Sequence, residues 1–427
     1  MKRFILILCM IFAAVLESNI NAQDVSPLQQ RANEVAAQFG AAQTDYAKLF
    51  APSFLGKVAP AQLNAIFSQY FTQFGRCTNA KLVKSDGANS GSFELTFEKN
   101  FSVSMNLVID ADAPNLITGL LLRNPTKLSA SLEEIVEELK KLHGVTSLYV
   151  AKLDAAKITP IISHNAVSQM PLGSSFKLYV LAELVRQTNA KQRRWQDVVN
   201  LRDEYKSLPS GMLQDWGTNS PVTLNTLASL MISISDNTAT DNLLMNLGRE
   251  NVEKVTTLTG TASQRNQPFM TTGELFKLKW NVDKTLPEKF TALDAAGKRA
   301  FLANVIDKMP LDKVKFDDKI SYNDKIEWFA TTEEMCRLMN WLRLQSETDK
   351  TARDIMAIND GSIISRERWQ YVGYKGGGEP GVLTMNYLLQ SKNGDWYAFS
   401  AAWNDANKSL EEKVFFALVG RIFKLIL

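Results

Sequence analysis

Histidine and cysteine are scarce, two and three respectively in 427 residues. No pattern of metal-ligand spacing can be drawn from so few, so the sequence implies no metal and no other cofactor. His143, at a predicted helix end, and His164, in a predicted loop, read as surface residues. Cys77 and Cys336 fall in different predicted domains, which argues for free thiols rather than a disulfide framework. Net charge is also slight, formally +3. With no basic run, repeat or low-complexity tract, nothing points to nucleic acid. Long apolar runs are missing beyond the first residues. There, Lys2 and Arg3, an apolar run from Phe4 to Leu16 and a polar stretch ending at Ala22 read as a secretory signal over 1–22, too short to span a membrane. Cys9 follows Leu8 rather than a small residue, which argues against a lipid anchor. The expectation is an extracytoplasmic protein, periplasmic or secreted, without stable membrane insertion.

The length allows two domains with cores of their own. Residues 23–124 open with helical patterns (Arg31 to Phe39, Ala61 to Phe74) and then alternate. Phe93, Leu95 and Phe97, then Phe101, Val103, Met105, Leu107 and Ile109, occupy every second position, as half-buried antiparallel strands require. This is a small α+β domain. It holds no convincing acid/base pair, since Asp110 and Asp112 read as loop carboxylates, and it is a binding or packing module. Asn124-Pro125-Thr126 reads as a linker. The domain 125–427 begins with a capping box, Ser131-Leu-Glu-Glu134, for a helix ending near Gly144. Strands are expected at Thr146 to Leu153 and Ile158 to Ser163, later at Trp369 to Gly378, Val382 to Gln390 and Trp396 to Trp403, with a closing amphipathic helix from Leu410.

Three stretches carry chemistry. In Met170-Pro-Leu-Gly-Ser-Ser-Phe-Lys177 the Pro and Gly mark a turn, which puts Ser174 at the first turn of a helix and Lys177 one turn on, on the same face. A serine hydroxyl needs a neighbouring base, and a partly buried lysine can be one. The helix N-terminus adds N–H groups where an oxyanion would form. Taken alone, the pair is equally an N-cap serine followed by a solvent-facing lysine. Next, an apolar helix (Leu224, Leu227, Leu230, Met231, Ile234) runs into Ser235-Asp236-Asn237. Ser-x-Asn by itself says little, recurring at Ser104, Ser163 and Ser321. Finally, Lys375 precedes Gly376, Gly377 and Gly378 on an aromatic, β-branched strand, where glycines allow close backbone approach.

In this order the three stretches resemble the signatures of class A β-lactamases and penicillin-binding proteins, a serine hydrolase family. Ser-x-x-Lys occurs once in the chain, and SDNTATDNLL from Ser235 is similar to the family's own helix at that place. The resemblance runs from about Ser131 to the C-terminus. It implies a serine β-lactamase/transpeptidase-like α/β (α+β) fold, an antiparallel sheet flanked by helices. It also implies a Ser174 acyl-enzyme on a β-lactam, ester or small amide. Lys177 would be the base, Ser235 a proton relay and Lys375 a charge beside the substrate's anionic end. Asn237 would hold a substrate amide or the Lys177 amine, and the oxyanion would meet the N–H groups of Ser174 and Gly378. Ahead of this domain, the smaller one is similar to the cone-shaped fold of steroid isomerases and polyketide cyclases, a domain order shared with a β-lactamase-like protein of clavulanic-acid biosynthesis.

Two departures stand out. Gly376 and Gly378 occupy places where the family usually has side-chain donors for a β-lactam carboxylate. The usual Ω-loop Glu is missing: Val255 to Gly273 has no Asp or Glu, offering Ser263, Gln264, Arg265 and Asn266, and Glu274 reads as part of the helix after that loop. Residues of roughly 281–324 are extra. Slow deacylation follows. The alternatives are an esterase or peptidase sharing the fold, or a binder of penicillins or peptidoglycan fragments with little turnover.

Overall fold

Proline and glycine punctuate the first helices. In α1 (Pro27–Gln38) the Ser26 hydroxyl accepts from Gln29 N, and Pro27 stands in the first turn, where a missing N–H loses no bond. The short α2 (Pro52–Leu55) and α3 (Pro60–Phe74) also carry a proline in the first turn, and α3 stops at Gly75, whose φ is +81°. The computed structural model describes residues 26–426 other than 43, 130, 155, 156, 259–263, 318, 365 and 367. The expected secretory signal, Cys9 and Ser263 lie outside the described residues. Two compact units are divided between Leu128 and Ser129.

In the first unit β1 (Cys77–Ser85), β2 (Ser90–Phe97), β3 (Phe101–Ile109) and β4 (Ile117–Leu122) form an antiparallel meander. Thr126 and Lys127, read from the sequence as leaving the domain, form β5 (Thr126–Lys127) against Ser102 and Phe101. Alternation puts Phe93, Leu95, Phe97, Val103, Met105 and Leu107 inside. Phe39 packs edge-on against Phe67 and Phe97, with centroids 5.0 and 4.9 Å apart, so rings fill the interior.

The second unit continues with α4 (Leu132–Leu139), capped by Ser131, then β6 (Val145–Leu153), β7 (Ile158–His164), β8 (Met170–Pro171) and α5 (Lys177–Asn189). A helical middle follows, interrupted by the two-stranded β9 (Val198–Asn200) and β10 (Pro221–Thr223): α6 (Leu224–Ser233), α7 (Asn237–Leu247), α8 (Arg249–Leu258), α9 (Thr272–Lys279), α10 (Leu286–Thr291) and α11 (Ala295–Phe301). The chain then runs through β11 (Phe329–Ala330), α12 (Thr332–Gln345), α13 (Thr351–Met356), β12 (Trp369–Glu379), β13 (Val382–Ser391), β14 (Trp396–Asn404) and α14 (Glu412–Leu425). The sheet runs β12-β13-β14-β6-β7, every pair antiparallel. Ile135 and Leu139 of α4 and Phe415, Val419 and Ile422 of α14 cover one face; α5 and α12 cover the other.

Every residue of α5 from Lys177 to Val185 is buried, including Lys177 and Glu183. A helix apolar on all sides belongs in the middle of a protein, and this one carries its lysine with it. His164 ends β7 rather than lying in a loop, with its Nε2 3.0 Å from Thr146 Oγ1. His143 Nδ1 lies 2.6 Å from Asp405 Oδ2. Cys77 and Cys336 are free thiols. Among the described residues no helix is long and apolar enough to cross a membrane, and no cluster of His, Cys, Asp and Glu could hold a metal ion.

Candidate active site

Gly173 bends the chain ahead of the nucleophile. Its φ of +48° is a left-handed conformation that favours glycine, and it opens a tight 3-10 turn, Gly173–Phe176, leading into α5. Both neighbours of Ser174 on the helix side are clamped. Ser175 Oγ lies 2.7 Å from Thr384 Oγ1 and accepts from Asn386 Nδ2 at 2.8 Å, both on β13. Phe176 stacks on Trp328 with ring centroids 3.6 Å apart. Ser174 itself is half-buried and faces a cleft of about 470 Å³.

Lys177 lies behind that cleft, with none of its surface exposed. Its Nζ meets three oxygens: Ser235 O at 2.6 Å, Asn237 Oδ1 at 2.7 Å and Ser235 Oγ at 3.0 Å. The two carbonyl oxygens can only accept, so a neutral amine gives its hydrogens to them. Burial, helped by the nearby Lys375 charge, pushes Lys177 well below the usual lysine range, while Asp241 and Asp236 oppose that shift. Asn237 Nδ2 donates to Leu208 O at 3.0 Å. Both ends of this amide are therefore engaged inside the protein, its oxygen on Lys177 and its nitrogen on Leu208 O.

Ser235 adopts a φ of +60°, unusual for a residue with a side chain. The bend between α6 and α7 is held from below by the Asp236 carboxylate, which accepts from Met212 N, Leu213 N and Ala239 N at 2.7, 3.0 and 2.7 Å. Strained backbone of this kind persists where its surroundings determine it. Here it turns the Ser235 hydroxyl between two lysines, since Lys375 Nζ donates to the same Oγ at 3.2 Å and to Gly376 O at 2.6 Å. Burial lowers Lys375 to about 7.

The three glycines of β12 differ in what they meet. A Cβ on Gly377 would lie 2.0 Å from Leu172 O and 2.8 Å from Ser174 N, so the strand rests directly on the nucleophile turn. A Cβ on Gly376 would lie 2.1 Å from the Tyr374 hydroxyl. That phenol, itself lining the cleft, occupies the space a hydroxyl residue at 376 would need, and burial raises it to about 12, which keeps it a donor. Gly378 is open, its nearest neighbour being 3.6 Å away. The structure thus brings Ser174, Ser235, Lys375 and Gly376, Gly377 and Gly378 to one cleft, with Lys177 and Asn237 immediately behind it.

Residues 127–423 match the family model described as the β-lactamase enzyme family. The chain belongs to this family. Among solved structures it is similar to PBP-A at 16% identity, covering 69% of this chain and 94% of that one with a TM-score of 0.48. A β-lactamase from Sphaerobacter thermophilus gives 16%, 69%, 95% and 0.49, and a class A β-lactamase from Mycobacterium abscessus 15%, 68%, 97% and 0.47. No curated protein matches the chain.

Within this β-lactamase-family unit the loop flanking the nucleophile is not where the sequence suggested. The pattern Thr-Thr-x-Glu occurs at 271–274 and again at 331–334, and each copy forms a capping box. It is β11, before the second copy, that pairs with β8 immediately ahead of Ser174, Phe329 with Pro171 and Ala330 with Met170. Glu274 of the first copy is held by Arg249 through two bonds of 2.8 and 2.7 Å. Asn266 of the 255–273 stretch brackets Phe329, donating to its O at 2.7 Å and accepting its N–H at 2.8 Å. Among the described residues lining the cleft the one carboxylate is Glu412.

Proposed function

We propose that the protein is a serine hydrolase acting outside the cytoplasm through an acyl-enzyme on Ser174, with a β-lactam, ester or small amide as substrate. The observation that carries this reading is a cleft-facing serine with a buried, easily deprotonated lysine one turn behind it. Ser174 Oγ bonds to the substrate carbonyl carbon while its proton passes to the Lys177 lone pair. The tetrahedral oxyanion lies between the N–H groups of Ser174 and Gly378. As it collapses, the carbonyl–leaving-group bond breaks, and Ser235, bonded to both lysines, hands a proton to the leaving atom and is reprotonated from Lys177. Mass spectrometry after treatment with a fluorophosphonate or a fluorescent penicillin should find the adduct on the peptide containing Ser174; an adduct on another residue would refute the assignment.

Turnover is the slower half. Glu412 sits on the exposed first turn of α14, so Lys177 itself must deprotonate the water that attacks the ester. A chromogenic cephalosporin should give a burst of one equivalent and then a slow phase. Fast steady hydrolysis from the first turnover would show that a better base exists. This supports the second reading, a penicillin-recognising protein with little turnover, to the extent that the adduct outlives the measurement.

Lys375, at about 7, is charged below neutrality and loses its charge as pH rises. The affinity for an anionic ester should therefore fall above pH ~7, while that for a neutral ester stays level. In Lys375→Ala the difference between the two esters should no longer change with pH. Tyr374→Phe removes the hydroxyl beside Gly376, and should weaken binding of carboxylate-bearing substrates by about three- to tenfold, one hydrogen bond's worth. No change in that ratio would take Tyr374 out of substrate recognition.

A further inference from the structure

Directly behind the nucleophile turn lies a charge cluster with no part in the proton transfers above. Lys279, the last residue of α9, is 1% exposed and Glu327 2% exposed. Glu379, the last residue of β12, has a side chain 9% exposed. The Lys279 ammonium contacts the Glu379 carboxylate and lies 4.0 Å from Glu327 Oε1. Both carboxyl groups thus face one buried ammonium. Such a trio is neutral when one of the two carboxyl groups holds a proton. That neutral sum is what its burial demands. Burial and the neighbouring Glu379 raise Glu327 to about 8.

Each carboxyl is tied to one wall of the oxyanion site. Glu327 Oε2 accepts from Gly173 N at 3.2 Å and from Trp328 N at 2.9 Å. Gly173 adjoins Ser174, and Trp328 is the ring on which Phe176 stacks. Glu379 follows Gly378 on β12. The two walls touch where a Cβ on Gly173 would come within 2.8 Å of Gly378 N.

We propose that Lys279, Glu327 and Glu379 are positioning residues that set the spacing between the Ser174 turn and the end of β12. The proposal rests on the Ser174 acyl-enzyme reading for its effect on rate. It follows from the geometry that Glu327→Gln keeps an oxygen able to accept from Gly173 and Trp328 and leaves Glu379 as the counter-charge of Lys279. Glu327→Ala loses that oxygen. In Glu327→Gln/Glu379→Gln the ammonium of Lys279 loses its counter-charge.

Acylation rate constants and substrate dissociation constants for an activated ester, with amide exchange of the peptide spanning 170–177 in the absence of substrate, test this. Glu327→Gln should acylate within about threefold of the unaltered protein. Glu327→Ala and the double variant should acylate about ten- to a hundredfold more slowly, the scale of a misplaced reacting group, with dissociation constants unchanged and exchange in 170–177 faster. Wild-type exchange and rates in Glu327→Ala would overturn the proposal, as would a Glu327→Gln variant as impaired as Glu327→Ala. If Glu327→Ala does not fold, the two glutamine variants decide alone, because equal rates in both overturn it. Failure of the acyl-enzyme reading shows separately, as a wild-type protein whose Ser174 takes no probe while exchange still distinguishes the variants.

Discussion

Lys177→Ala is expected to slow acylation of Ser174 by about two to four powers of ten, the scale of a general base. Burial disfavours the charged form of this amine, and Asn237 and the Ser235 carbonyl orient it. Lys177→Arg should be as slow, because a guanidinium has no lone pair to offer at any usable pH. For the unaltered protein the acylation rate should rise with pH as Lys177 loses its proton and then level; in both variants this limb should be absent. Stopped-flow single-turnover rates with an activated ester provide the measurement. Rates near wild type in Lys177→Ala would leave Lys375, acting through Ser235, as the base.

Gly377→Ala is expected to lower acylation by about two to three powers of ten, as loss of an oxyanion donor does. The added methyl would lie 2.0 Å from Leu172 O, 2.7 Å from Ser175 N and 2.8 Å from Ser174 N. All three are backbone atoms, none able to swing aside, and non-bonded carbon contacts need about 3.5 Å, so strand and turn must part. Gly378→Ala is the control, since its methyl finds nothing nearer than 3.6 Å, and it should stay within about threefold, the scale of a minor packing change. Near-UV circular dichroism on both separates a widened oxyanion site from a disordered fold. Equal activity of the two alanine variants would show that the contact between β12 and the turn does not define the hole.

The parts legible in the sequence were those set by neighbours along the chain. Ser174 and Lys177 are one turn apart, Ser131 announces a helix start, and the alternation of Phe93 to Ile109 reports one buried face. β1 escaped notice because only Ala80 of its nine residues is buried, which leaves no alternation to see. β11 escaped because two residues make no pattern, and an earlier copy of the same helix-start signal stood closer to the expected loop. Lys279, Glu327 and Glu379 come from three distant stretches and meet only in the folded chain, so no spacing could pair them. Tyr374 was visible as a strand aromatic, but that its hydroxyl fills the place beside Gly376 depends on how the ring lies along β12.

The bonds that hold Ser174 in place bridge long stretches of chain: Thr384 Oγ1 reaches Leu172 O across 212 residues, and Asn386 Nδ2 reaches Ser175 Oγ across 211. Contacts of such high order form late, after the entropy of closing the intervening chain has been overcome. A molecule with α5 formed but β12 and β13 undocked would carry Ser174 and Lys177 without a reactive serine. Covalent capture of Ser174 therefore counts completed molecules: during refolding from denaturant, probe incorporation should lag behind the recovery of helical signal, and a nick anywhere between residues 190 and 368 that loosens the sheet should silence the serine without touching it.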